Sequence, residues 1–370
     1  MTSGWMFQLQ PRCGRVWAWW PSFQIAGVSP VPADATAVAV NLTVTNAKAG
    51  GHINAYAAGT TLPVSSNVNF GKGQTVANMA VVSIGTGGEI DLYNGSPGTV
   101  DLVADVSGYF VEAQADGYKS LTPYRLLDTR TTQGGHDAAL TPADPVKLKV
   151  VGVGGVPADA KAVELNLTVA SPSLPSYITA YPDGSTKPSA SNVNFTAGQT
   201  VANAAIVPVS AGGYIDIALA AGSTRMVVDV DGYFSANTTE AVSAFEPTTP
   251  YRYLDTRTIT NGTLKAGYYY YLPLGDDYWG NVDSTVTGVV TNTTVTQPTA
   301  ASGDLDVFPD NTSGGSLVIP TVSSLNFTKN ATVPNLVFGT PGTDGNVDFL
   351  NKSTGNLQLI VDIFGFFQSK

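Results

Sequence analysis

A chain of 370 residues has room for two or three domains with cores of their own. With 43% hydrophobic and 12% charged residues and a formal net charge of −10, it is neither disordered nor suited to nucleic acid, which needs basic surface to displace counterions. One cysteine, Cys13, excludes an intrachain disulfide framework and any Cys-based zinc site, and no run of 18 apolar residues is present to span a membrane.

The first twenty residues stand apart. Arg12 to Trp20 carries three of the five tryptophans and matches nothing downstream, and Met1 to Trp20 lacks the basic start and apolar core of a signal peptide. Residues 1–20 are therefore read as an atypical or truncated start. From there Val38, Val40, Leu42 and Val44 alternate with polar or small residues, the period-two pattern of a half-buried antiparallel strand. His52, Asn54 and Tyr56 alternate with Ile53 and Ala55 in the next strand. Ser66-Asn67-Val68-Asn69-Phe70 and Gln74-Thr75-Val76-Ala77-Asn78 follow, and the segment closes on Asp105-Val106-Ser107-Gly108-Tyr109-Phe110.

All of this recurs. Val163, Leu165, Leu167 and Val169 repeat the first strand, and Tyr177, Thr179 and Tyr181 the second. Ser191-Asn192-Val193-Asn194-Phe195, Gln199-Thr200-Val201-Ala202-Asn203 and Asp229-Val230-Asp231-Gly232-Tyr233-Phe234 complete a second copy. A looser third copy runs through Asp304, Asp306 and Phe308, Ser323-Ser324-Leu325-Asn326-Phe327, Ala331-Thr332-Val333-Pro334-Asn335 and Asp362-Ile363-Phe364-Gly365-Phe366-Phe367. A spacing well over 100 residues means tandem domains, not a solenoid. Only the second and third copies open with a further box, Thr122-Pro123-Tyr124-Arg125-Leu126-Leu127-Asp128-Thr129-Arg130 and Thr249-Pro250-Tyr251-Arg252-Tyr253-Leu254-Asp255-Thr256-Arg257.

Turn signals such as Pro182-Asp183-Gly184 and Gly212-Gly213 punctuate these strands, and no segment carries a helical apolar stripe. The fold expected is all-β: three tandem antiparallel β-sandwich domains, jelly-roll or immunoglobulin-like, over residues 21–111, 119–235 and 246–368. Linkers are expected near 111–118 and 235–245. The first copy is expected to lack its opening strand and to leave an edge that 1–20 cover imperfectly, with Trp17, Trp19 and Trp20 partly exposed.

The boxes resemble the repeated "LDTR … SNxNF … DVxGYF" domain of secreted and surface proteins in high-GC Gram-positive bacteria, over nearly all of 21–368. The resemblance implies an extracellular or cell-surface location and a non-catalytic accessory role. It assigns no ligand residues.

The residues point the same way. Only His52 and His136 are present, without a Gly-x-Ser-x-Gly elbow or a His-Glu-x-x-His motif, so no catalytic triad or histidine metal site is expected and no cofactor is implied. Asp304, Asp306 and Asp310 are oxygen donors for Ca²⁺ but match no loop of fixed spacing. Tyr56, Tyr181 and Phe308, at strand ends opposite the apolar face, are the candidates for stacking on a sugar ring. Arg130 and Arg257 are expected to be buried in ion pairs with Asp128 or Asp229 and with Asp255 or Asp362, because an arginine fork suits fixed, buried pairing. Asn67 and Asn192 are expected to satisfy turn backbone. The function expected is attachment to cell-wall or other polysaccharide through repeated modules. The alternative is a structural subunit of a surface layer or filament that self-associates; neither nucleic acid nor a membrane span is expected.

Overall fold

The computed structural model describes residues 22–112, 116–236, 242–274, 285–311 and 317–369, and the backbone of 7–9. Cys13, Trp17, Trp19 and Trp20 lie outside the described residues. In the first copy the strands are β1 (Phe7–Leu9), β2 (Phe23–Gln24), β3 (Ala35–Thr45), β4 (Gly51–Ala57), β5 (Val68–Phe70), β6 (Val76–Ser83), β7 (Glu89–Asn94) and β8 (Asp101–Val111). The second copy has β9 (Gly117–Asp128), β10 (Val146–Lys149), β11 (Ala160–Ala170), β12 (Ser176–Pro182), β13 (Val193–Phe195), β14 (Val201–Pro208), β15 (Tyr214–Leu219) and β16 (Arg225–Ser235). The third has β17 (Ser243–Asp255), β18 (Tyr269–Pro273), β19 (Val286–Thr296), β20 (Ser302–Pro309), β21 (Leu325–Thr328), β22 (Thr332–Gly339), β23 (Asn346–Asn351) and β24 (Gln358–Ser369).

Every copy forms two four-stranded antiparallel layers in one order. The first copy pairs β1-β8-β3-β6 and β2-β7-β4-β5, the second β9-β16-β11-β14 and β10-β15-β12-β13, and the third β17-β24-β19-β22 and β18-β23-β20-β21; β9 and β17 meet at Tyr118 and Ser243, which joins their two layers into one eight-stranded sheet. First strand beside last, with the order 1-8-3-6 facing 2-7-4-5, is jelly-roll topology. The expectation that the first copy has no opening strand is corrected: β1 sits in that slot, antiparallel to β8, though it pairs only three residues. The opening strands of the other copies start at Gly117 and Ser243, ahead of the 119 and 246 read from the motifs.

The alternating residues form one core per copy. Val38, Val40, Leu42 and Val44 meet Ile53, Val68, Ile90 and Val106 in the first. Val163, Leu165, Leu167 and Val169 meet Ile178, Val193, Ile215 and Val230 in the second, and Leu305, Leu325, Phe349 and Val361 centre the third. The other face of these strands is buried too, which period two alone does not reveal. Asn41, Glu164, Asn166, Thr168 and Asn292 are all nearly inaccessible. The reason is that the three copies turn these faces toward one another around a fourth core, which holds Ala37, Ala39 and Phe110 of the first copy, Tyr118, Ala162 and Phe234 of the second, and Phe245, Val290, Phe338 and Phe367 of the third.

This shared core explains the closing signature. Its last residue faces the centre, where Phe110 lies 6.2 Å from Phe234 and 6.4 Å from Phe367 between ring centroids. Its preceding Tyr233 packs into its own copy's core. The glycine before the aromatic pair makes room for the opening strand. A Cβ on Gly232 would collide with the Tyr118 ring and hydroxyl, and one on Gly365 would fall 2.6 Å from the Phe245 ring. Tyr118 in turn stacks on Phe367 at 4.2 Å, so the opening strands of both later copies feed an aromatic ring into the centre.

Candidate functional site

The three copies are joined by one set of contacts made three times. At the first-to-second interface, Asn41 donates to the Ser191 carbonyl at 2.6 Å and accepts from the Asn203 side chain at 2.9 Å. Asn203 also donates to the Asn192 carbonyl at 2.6 Å, and its own carbonyl accepts the Met79 amide at 2.9 Å. At the second-to-third interface Asn166 donates to the Ser323 carbonyl and accepts from Asn335 at 3.0 Å, while Asn335 donates to the Ser324 carbonyl and takes the Ala204 amide. At the third-to-first interface Asn292 donates to the Ser66 carbonyl and accepts from Asn78 at 2.8 Å, while Asn78 donates to the Asn67 carbonyl and takes the Leu336 amide. The contacts close on themselves, so the chain is a pseudo-threefold trimer made from one polypeptide. Asparagine suits the site because its amide donates twice and its carbonyl accepts twice.

Asn67 and Asn192 hold strand backbone rather than the turn backbone expected, through the amides of Ala55 in β4 and Ala180 in β12 at 2.7 Å, and Ser324 does the same for Val307 in β20 at 2.9 Å. The partnership of Asn41, Asn166 and Asn292 with Asn78, Asn203 and Asn335 goes beyond anything the motifs state. Its sequence signals are an asparagine recurring on the polar face of the third strand of each copy and the asparagine that ends the repeated motif at Asn78, Asn203 and Asn335, with nothing to say that the two meet across copies.

The opening boxes clamp the closing strands, but through a different arginine from the one expected. Arg125 forks onto Asp229, Nε to Oδ1 at 2.9 Å and Nη2 to Oδ2 at 3.2 Å; Arg252 does the same to Asp362 at 2.8 and 3.1 Å. Arg130 and Arg257 pair with Asp128 and Asp255, each with Nε at 2.8 Å and Nη2 at 2.6 Å. Their side chains are 52% and 42% exposed, which corrects the expected burial. The strand ends at the aspartate, so the following turn folds the second arginine back over that carboxylate from the solvent side. The threonine between them is the buried one: Thr129 Oγ1 accepts the Met226 amide at 2.9 Å and Thr256 Oγ1 the Leu359 amide at 2.8 Å.

The first copy departs at this clamp. In register, Gln8 stands opposite Asp105 where Arg125 and Arg252 stand opposite Asp229 and Asp362. Asp105 is 1% exposed, and its Oδ1 has no hydrogen-bond partner among the described residues. Burial pushes its carboxyl up to about 6, against a lowering contribution from the Ser191 backbone.

The strand-end aromatics do not make a stacking surface. Tyr56 and Phe308 are buried and Tyr181 is half-buried. The loop after the strand folds back over this face, where Asn54 donates to the Pro63 and Ser65 carbonyls and Thr179 to the Ala190 carbonyl at 2.9 Å. In the third copy Asp306 meets Lys352 at 2.9 Å, so a cation already answers that carboxylate. Among the described residues no group of three or more His, Cys, Asp or Glu is arranged to hold a metal ion.

Several buried carboxyls share one direction. Burial raises Asp306 and Asp348 to about 7, and raises Glu164 and Asp231, which neighbour each other, above the usual carboxylate range. A carboxyl raised in the folded state contributes stability that is fully present below its unfolded value and lost as pH climbs through the folded value. Asp128 and Asp255, lowered first of all by their hydrogen bonds to Arg130 and Arg257, act in the opposite sense, but only below about pH 4. The melting temperature is therefore expected to fall as pH rises from 4.5 to 8. A tenfold change in proton affinity corresponds to about 1.4 kcal/mol, so Asp105, raised to about 6, by itself accounts for a loss on the order of 2–3 kcal/mol. Glu164→Gln is expected to flatten the profile, and a melting temperature that climbs over this window would contradict the reading.

A cavity of about 530 Å³ opens where the copies meet, lined by Gln74 and Phe70 of the first, Gln199 and Thr200 of the second, and Phe327 and Thr332 of the third. It is a place where a ligand would touch all three.

No family model and no curated protein matches the chain. Among solved structures it is similar to a chain of the Sulfolobus Turreted Icosahedral Virus, at 9% identity over 91% of this chain and 81% of that one, with a TM-score of 0.18. A chain from an archaeal virus described by a triple jelly-roll fold and turret assembly gives 10% identity over 90% and 80%, TM-score 0.17. A chain of infectious bursal disease virus, Gt strain, gives 11% over 92% and 68%, TM-score 0.19. Likenesses this distant carry nothing about function.

Proposed function

We propose that the chain is a non-catalytic extracellular binding block whose ligand is a cell-wall or other polysaccharide. The observation that carries this reading is an exposed pair of rings in the third copy. Tyr269 and Tyr271 are 44% and 49% exposed on the edge strand β18. They pair with Leu350 and Asp348, opposite in facing to the core residues Val347 and Phe349, so both rings stand on the outer face. Two residues along a strand place them about 7 Å apart, and the exposed Asp344 is among the carboxyls near Tyr269, where it can accept a hydrogen bond from a hydroxyl. The test is retention on insoluble cell-wall glycan. The native chain is expected to be retained, and Tyr269→Ala with Tyr271→Ala to weaken retention about tenfold or more, two aromatic contacts being worth about 1–3 kcal/mol together. Equal retention of both proteins, or none by the native chain, would count against the reading.

A second reading, a structural subunit of a surface layer or filament, is favoured by the asparagine contacts that close three copies into one block. Ordered arrays in electron micrographs of the purified chain without glycan would support it, and a dispersed monomer under the same conditions would oppose it.

A further inference from the structure

The closing strand of the first copy keeps what an opening strand needs. In the other copies that strand brings three things: an aromatic ring beside the signature glycine, an arginine on the closing aspartate, and a threonine on the start of the closing strand. The first copy retains the aspartate and glycine of the signature as Asp105 and Gly108. Yet β1 pairs only Ala104 to Val106, whereas β9 pairs β16 from Val227 to Ser235 and β17 pairs β24 from Ile360 to Ser369. The buried Asp105 keeps one oxygen without a hydrogen-bond partner among the described residues. The neighbouring copy also contributes where the strand is present: Arg252 reaches the Val64 carbonyl of the first copy at 3.0 Å, and Ser83 donates to the Thr248 carbonyl at 3.2 Å.

We propose that the outer edge of β8 is a docking site for an extended segment of another polypeptide carrying the opening-box pattern, an aromatic residue followed seven positions later by an arginine and, three positions after that, by Asp-Thr-Arg. The arginine pairs with Asp105, the aromatic packs at Gly108 as Tyr118 and Phe245 pack at Gly232 and Gly365, and the backbone extends the sheet as an added strand. The occupant is set by charge as well as shape, because a buried carboxylate favours a forked guanidinium over any neutral side chain. The short β1 competes for three of the register positions and is displaced when the longer strand adds.

The probe is a labelled synthetic peptide with the sequence of residues 117–130, compared with the same peptide carrying Arg125→Gln. Fluorescence anisotropy with the full chain is expected to show binding of the first about tenfold or more tighter than the second, as a charge-assisted pair predicts. In the chain carrying Asp105→Asn, an isosteric change, that preference is expected to vanish, and amide exchange in the native complex is expected to slow within Asp101–Val111. Gln8→Pro, which removes a ladder donor from β1, is expected to tighten binding. Equal affinity for the two peptides, protection at a different strand, or no binding to either the native or the Gln8→Pro chain would overturn the proposal.

Discussion

Replacing Arg125 by methionine is expected to lower the stability of the second copy by about 3 kcal/mol at pH 7.5, within the usual cost of breaking a buried pair. Arg125 supplies both side-chain nitrogens that face Asp229, whose side chain is 1% exposed and also accepts from the Ser323 backbone. Burial already raises the Asp229 carboxyl despite the arginine, so the pair stabilises little in itself, and the damage comes from stranding one charge. That limits the loss. Without Arg125 the carboxyl holds its proton, as Asp105 does up to about 6, so the deficit should shrink toward pH 5. Arg125→Met with Asp229→Asn should recover most of it at all pH values. Asp105→Asn should move the other way and stabilise slightly at pH 7.5, because it removes a carboxylate that has no guanidinium among the described residues. Urea midpoints for the four proteins at pH 5 and 7.5 check this. An Arg125→Met deficit that is the same at both pH values would show that lost packing, not a stranded charge, sets the cost.

The sheets were legible because alternation is local. Val38 to Val44 and Val163 to Val169 state which face enters their own core without reference to anything distant. What the chain does with the opposite face was not legible. Glu164 and Asn166 look like solvent-facing residues until a second and third copy are set against them, and only the small Ala37, Ala39, Ala162 and Ala204 hint at close approach. The arginines failed for a related reason. Period two places Asp128 and Arg130 on one face only if the strand continues, and it stops at Asp128. The strand-end aromatics were placed on the correct face, but the loop that covers Tyr56 is held by Asn54, a bond whose partners at 63 and 65 no spacing rule announces. The exposed Tyr269 and Tyr271 lie in a strand with no such aromatic pair in the other copies, so recurrence does not mark them.

Replacing Asn203 by alanine is expected to loosen the first copy from the second and to cost about 3–5 kcal/mol. The side chain is 1% exposed and answers three groups at once: the Asn41 carbonyl oxygen, the Asn192 carbonyl and the Met79 amide. Each is left buried without its partner, at about 1–3 kcal/mol apiece, with relaxation keeping the total below the simple sum. Asn194 provides the contrast: it lies in the same repeated motif, but it is half-buried and its side chain meets only the Ser191 hydroxyl at 2.8 Å, so Asn194→Ala should cost less than about 1 kcal/mol. Because Asn41 also depends on Asn203, the pair Asn41→Ala and Asn203→Ala should cost clearly less than the sum of the single changes. The loss should also appear as altered cooperativity. A block closed by three equivalent interfaces melts as one, and weakening one interface leaves the first copy held less firmly to the second than to the third, so a second, earlier transition is expected in calorimetry. A single unchanged transition for Asn203→Ala would mean that the shared aromatic core alone holds the copies together and that the asparagines merely fill its rim.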